Sequence, residues 1–125
     1  MSNTLEQERA KYALKVVTGF KSSNAGKYST LIKKLPAMIL NNGLGQALAF
    51  LLADDKGERK EPSWHLYKCL QKWIIAEQHI YTGNLIDSLM NEDRAKYMHA
   101  QHETLKLLTW MKKFADAYLP KAEGG

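Results

Sequence analysis

The stretch Asn91–Pro120 reads NEDRAKYMHAQHETLKLLTWMKKFADAYLP. Within it Leu107, Leu108, Trp110, Met111, Phe114 and Tyr118 recur at spacings of three and four, which sets them on or near one stripe of a helix. Asn91 is predicted to cap the start of this helix, with Glu92 and Asp93 placed against the positive end of its dipole. The helix is predicted to run to about Leu119, because Pro120 lacks the donor needed to continue it. The two-residue alternation of a half-buried strand is nearly absent here and along the whole chain, so the predicted fold class is all-α.

Moving toward the N-terminus, a short helix is expected over Leu85–Met90. Thr82-Gly83-Asn84 separates it from a helix running from about Ser63 to Tyr81, whose buried side carries Trp64, Tyr67, Leu70, Trp73 and Ile74. Asp54 to Pro62 reads as a charged surface linker. Leu44 to Ala53 is apolar almost all round, which predicts a helix near the centre of the core. Asn42-Gly43 is a helix end in which glycine supplies a left-handed backbone. Pro36 interrupts a helical stretch that begins near Tyr28. The predicted solution is a break at Leu35, with Pro36 in the first turn of a new short helix. Lys21 to Lys27 is a loop by composition. Thr4 followed by Gln7 is a capping box opening a first helix to about Phe20, with Leu5, Tyr12, Ala13, Val16, Val17 and Phe20 on its buried stripe. The sum is a compact bundle of about six helices, one domain over residues 1–125, with 1–3 and 120–125 as flexible ends.

A chain of 125 residues with 45% hydrophobic content buries a core without staples and is not a disordered tail. The single cysteine, Cys69, excludes an internal disulfide framework and a cysteine-based zinc cage. It sits at helical spacing among Tyr67, Leu70 and Trp73, as a buried inert thiol does. The first residues are polar and acidic, unlike a signal peptide, and the longest apolar run, Ala47 to Ala53, is far too short to span a bilayer. The expected location is the cytoplasm. Eighteen basic residues face thirteen acidic ones, giving a net charge of +5 and a pI near 9.3. That moderate excess points to nucleic acid or an acidic partner, bound weakly by the free chain.

Catalytic patterns are weak. Arg94 and His99 form an Arg-x-x-x-x-His pair that resembles the motif of the HEPN family of metal-independent helical ribonucleases, and a stand-alone nuclease of that kind is the alternative function. Ala95, however, stands where that family usually places a polar residue. The two side chains are also separated by about 140° around a helix. His99, His102 and Glu103 share a helix face as a metal set would, but zinc needs further ligands from elsewhere. Gly43 and Gly45 lack the strand and the remaining glycines of a dinucleotide fingerprint. Ser22 and Ser23 have no triad context. No catalytic, metal or cofactor residue is therefore assigned, and no cofactor is expected.

The lysines carry more information. Lys68 and Lys72, four apart, project from one side of their helix, away from Tyr67, Leu70 and Ile74. On the last helix His99, His102, Lys106 and Lys113 form a polar stripe edged by Lys112. Lys33 and Lys34 add a third basic point. Solvated surface lysines explain each cluster taken singly, but converging clusters would bind phosphates additively. The candidate RNA-binding residues are thus Lys68, Lys72, Lys106, Lys113, Lys33 and Lys34.

The order of segments resembles a known family. It runs Glu8-Arg9-Ala10-Lys11-Tyr12-Ala13, then Lys34-Leu35-Pro36-Ala37-Met38-Ile39, Asn42-Gly43-Leu44 and Ala47-Leu48-Ala49-Phe50-Leu51. Tyr67 to Trp73 follows a charged loop, and Glu103 to Ala115 closes the series. This is similar to the small α-helical subunit of type III-B CRISPR–Cas effector complexes, the small subunit of the Cmr or RAMP module, from about Leu5 to Leu119. The resemblance implies a non-enzymatic role in antiviral defence. Such subunits stack in copies beside the backbone subunits that hold the guide RNA and cut the target. They contact the large polymerase-like subunit at one end, and their basic face helps line the groove holding the duplex of guide RNA and target RNA. A duplex of that kind is held through backbone geometry and phosphates, which suits sequence-independent lysines. No membrane is implied.

Overall fold

The computed structural model describes residues 3–121; of the ends expected to be flexible, 1–2 and 122–125 lie outside the described residues. Six α-helices follow one another: α1 (Leu5–Gly19), α2 (Ala25–Asn42), α3 (Leu44–Asp55), α4 (Pro62–Gln71), α5 (Leu85–Asn91) and α6 (Arg94–Tyr118). No strand occurs among the described residues, and the all-α bundle expected from the periodicity is what forms. Helix α6 is the spine: α1 packs along one flank and α2 along another, while α3 and α4 close the far side against α2.

The predicted capping box forms as read. The Gln7 N–H donates to the Thr4 hydroxyl oxygen at 3.1 Å, and the Thr4 N–H donates back to Gln7 Oε1 at 2.8 Å. The break at Leu35 does not occur. Helix α2 runs through Pro36 for 18 residues, about 27 Å. An interior proline costs roughly 3 kcal/mol. On both sides of it, however, Ile32, Leu35 and Ile39 are fully buried, each contributing about 1.5–3 kcal/mol. Burial along the whole helix outweighs the local penalty. The cap of α6 also differs from expectation: Asp93, not Asn91, accepts from the Lys96 N–H at 2.9 Å. Asn91 instead ends α5.

The helix expected to run to Tyr81 is α-helical only to Gln71 and then widens into a π-helical segment, Lys72–Glu77. Its closing bond, from the Gln78 N–H to the Trp73 carbonyl at 2.9 Å, reaches one residue further back than an α-helical bond. Such widened turns are rare and tend to mark functional places in helices. Here the segment carries the buried Trp73 and Ile74 into the core.

That core includes one ion pair. The Arg9 Nε and Nη2 donate to the two Glu103 carboxylate oxygens at 2.7 and 2.8 Å, and the Trp73 indole N–H donates to Glu103 at 3.0 Å. Burial pushes the Glu103 carboxyl up, but the bonds from Arg9 and Trp73 more than offset this and hold it below its ordinary range. The Trp110 indole N–H donates to Glu6, which also pairs with Arg9 at 3.0 Å.

Gly43 joins α2 to α3 alone. Its φ of +89° and ψ of 159° lie in a region open essentially to glycine. The Leu44 N–H donates to Gln101 at 2.9 Å and the Gly45 N–H to the Tyr97 hydroxyl at 2.8 Å, so α6 caps the open end of α3.

Candidate nucleic-acid interface

Two lysines from α4 and the π-helical segment, Lys68 and Lys72, are exposed and line one groove together with His65. The four-residue spacing therefore does bring them together. Lys72 also lines a neighbouring groove between α1 and the π-helical segment, where Lys11 and Lys15 face it, accompanied by Glu8 and Glu77. None of Lys11, Lys15, Lys68 and Lys72 makes an ion pair among the described residues.

The remaining candidates line neither of these two grooves. Lys106 and Lys113 are exposed on α6, opposite the core face of Leu107, Leu108, Met111 and Ala115. Lys33 is paired with Asp116 of α6 at 2.6 Å. Lys34 lies over the Phe50 ring of α3, 5.2 Å from its centroid. Of the six candidates, Lys68 and Lys72 line a common groove. Lys68 and Lys72 belong to a basic strip completed by α1, and Lys33 is already neutralised. Lys11 and Lys15 escape a reading that looks for clusters on separate segments. Their signal is present in the sequence: they are four apart and lie outside the Tyr12, Ala13, Val16 and Val17 stripe.

Other sequence candidates resolve structurally. Arg94 and His99 are both exposed at the start of α6. His99 and His102 point outward, whereas Glu103 points into the core and is held by Arg9 and Trp73. The would-be metal set is therefore divided between two sides of its helix. Among the described residues no group of three or more histidine, cysteine or acidic side chains is arranged to hold a metal ion. Cys69 is buried, and burial pushes its thiol up to about 12, which favours the protonated form over the nucleophilic thiolate. The glycine pair Gly43 and Gly45 serves the close approach of Tyr97, whose hydroxyl would lie 3.1 Å from a Cβ at Gly43. Trp73 is core, as its spacing suggested, while Trp64 and Trp110 are only half-buried and Tyr118 is exposed. No helix among the described residues is long and apolar enough to cross a membrane.

The surface can engage a polyanion without reading its sequence: separated, flexible ammonium groups contact phosphates as point charges. Comparisons with known proteins narrow the setting. A family model described as CRISPR-associated protein (Cas_Cmr5) matches residues 5–118. The chain is 28% identical over 105 residues to the CRISPR system Cmr subunit Cmr5 of Thermus thermophilus, covering 84% of this chain and 86% of that protein. The crystal structure of a CRISPR-associated Cmr5 family protein from Thermus thermophilus matches with a TM-score of 0.74 at 27% identity, covering 94% of this chain and all of that one. With the family model matched from the first turn of α1 to the last residue of α6, this chain belongs to the Cmr5 family of CRISPR-associated proteins.

Proposed function

We propose that this chain is a non-catalytic, RNA-contacting small subunit of a type III-B CRISPR–Cas effector complex. In this reading residues 1–125 act as one unit in the cytoplasm. Copies stack beside the backbone subunits, meet the large polymerase-like subunit at one end, and help hold the duplex of guide RNA and target RNA. The observation that carries the RNA contact is the strip formed by Lys68 and Lys72 with Lys11 and Lys15 of α1, joined at Lys72, none of which has an ion-pair partner among the described residues. Lys106 and Lys113 on α6, and Lys34, are secondary contacts. Lys33 contributes only if its bond to Asp116 opens.

One copy offers few phosphate contacts, so the free subunit binds RNA poorly at physiological salt. Stacking repeats the strip along one strand and makes its contacts act together. The test is a salt titration of target RNA binding to complexes of equal composition carrying wild-type subunit or Lys68→Ala with Lys72→Ala. Weaker binding without a change of sequence preference is expected. In each copy, every phosphate that is no longer neutralised should flatten the slope by roughly one unit. Parallel lines of equal affinity would remove these lysines from the RNA, and failure of the variant to enter the complex would assign them to a protein interface.

A further inference from the structure

At the outer end of the lysine strip, two cations converge on one aromatic ring. The Arg59 guanidinium lies 5.2 Å from the Trp64 ring centroid, and the Lys68 ammonium lies 5.6 Å from the same ring. Trp64 is half-buried and stacks on the buried Tyr67 at 5.6 Å, so its ring is fixed from beneath. Arg59 sits in the charged loop between α3 and α4, in a left-handed backbone conformation with φ of 58°. Such a conformation is uncommon for a residue other than glycine. Asp55 holds it there: its carboxylate accepts from the Arg59 N–H at 2.8 Å, the Lys60 N–H at 3.2 Å and the Glu61 N–H at 3.3 Å.

None of the acids of this loop forms an ion pair with either cation among the described residues, although Asp55 feels the Arg59 charge. Asp55 is occupied by backbone, while Asp54 and Glu61 both pair with Lys27, at 3.3 and 3.4 Å. Glu58 is exposed. Neither Arg59 nor Lys68 has an ion-pair partner among the described residues. Both cations thus lie within reach of the same ring, and neither charge is neutralised by an acid among the described residues. An anion would supply the partner both lack. A guanidinium held beside an indole ring retains N–H donors for two parallel N–H···O bonds, the geometry a phosphate accepts.

We infer that Arg59 and Lys68, both positioned by Trp64, clamp a phosphodiester group of RNA and extend the lysine strip by one step beyond α4. The inference rests on the RNA-contacting role proposed above. Arg59 is the direct ligand and Trp64 the positioning residue.

The experiment uses the assembled complex with Arg59→Ala, Arg59→Lys, Trp64→Phe and Trp64→Leu, and Lys68→Ala with Lys72→Ala as the reference. Guide RNA content and target RNA affinity are measured from 50 to 200 mM salt. Arg59→Ala is expected to remove one phosphate contact per copy. Across this fourfold salt range the drop in affinity should then be smaller by a factor of roughly 3 per copy. Arg59→Lys should keep the salt slope and give up only part of the affinity. Trp64→Phe should resemble wild type, and Trp64→Leu should resemble Arg59→Ala. If Arg59→Ala leaves guide content, affinity and slope unchanged while the lysine pair weakens binding, the clamp is overturned and the RNA-contacting role survives. If neither variant changes them, both fall. Arg59→Ala subunits that fold but do not enter the complex overturn the clamp in favour of a protein contact.

Discussion

The two flanks of α1 treat charge in opposite ways. On the flank facing α6, Arg9 is buried and held by Glu103, with Trp73 and Glu6 completing the network. On the flank facing the π-helical segment, Lys11 and Lys15 stand open to solvent opposite Lys72, with no partner among the described residues. A buried charge left unpaired is ruinous to a fold, whereas an exposed one costs almost nothing. Charges that the fold needs are thus saturated within it. Those left unsaturated are available to something outside it.

The sharpest way to break this contrast is to orphan the buried carboxylate. Arg9→Met should destabilise the protein by about 3–5 kcal/mol, because Glu103 would remain buried without its cation. Thermal or urea unfolding measures this. Removing both charges with Arg9→Met and Glu103→Leu should cost clearly less than Arg9→Met alone, the mark of a coupled pair. A double variant as unstable as the single one would mean that packing, not charge, is at stake there.

The same flank sets the acid limb of stability. The folded Glu103 carboxyl titrates below its ordinary value of 4.5. The unfolded chain therefore binds this proton first, and the contribution is present above about pH 4.5 and lost as the pH falls through the folded value. Unfolding followed from pH 7 to pH 3 should show a fall in wild type that is shallower in the double variant. Equal falls in both would place the acid sensitivity elsewhere.

A smaller cost is expected at the α2–α3 junction. Gly43→Val forces a β-branched residue to positive φ and brings its Cβ to 3.1 Å from the Tyr97 hydroxyl. The expected loss is about 1–3 kcal/mol. An unchanged melting temperature would show that the junction relaxes freely.

On the open flank, Lys11→Ala with Lys15→Ala should leave stability within about 0.5 kcal/mol of wild type, while weakening RNA binding by the complex. A large loss of stability would erase the distinction between the two flanks. At the bottom of the scale, Arg94→Ala and His99→Ala should change neither stability nor RNA cleavage by the assembled complex. Loss of cutting with assembly intact would revive the nuclease reading.

What could be read from the sequence depended on how far apart the deciding residues lie. The Thr4–Gln7 capping box, the buried Cys69 and the positive φ at Gly43 are local, and each was visible. So was the pairing of Lys68 with Lys72, because helix geometry alone places residues four apart together. Pro36 misled because local propensity speaks for a break while burial on both sides of it, a tertiary property, decides otherwise. Asn91 and Asp93 are both good caps two residues apart, and only the end of α5 chooses between them. The widened turn at Lys72–Glu77 has no propensity signature. The Arg9–Glu103 pair spans 94 residues, and no periodicity reports such a contact. The basic strip was half legible for the same reason: each half is a four-residue spacing, but the apposition of Lys11 and Lys15 to Lys72 is a matter of packing.

The pairing of the first helix with the last has a consequence for how the protein is made. Ribosomes add roughly 5–20 residues per second, so Arg9 emerges about 5–20 s before Glu103, its partner 94 residues later. During that interval the apolar side of α1 has no α6 to cover it, and an isolated helix of 15 residues is marginal in water. The nascent chain must therefore carry the side of α1 that packs on α6 uncovered until α6 is made, although Tyr12 meets the Cys69 carbonyl and Trp73 earlier. Any message that stops short of α6 yields a product in which this surface stays exposed.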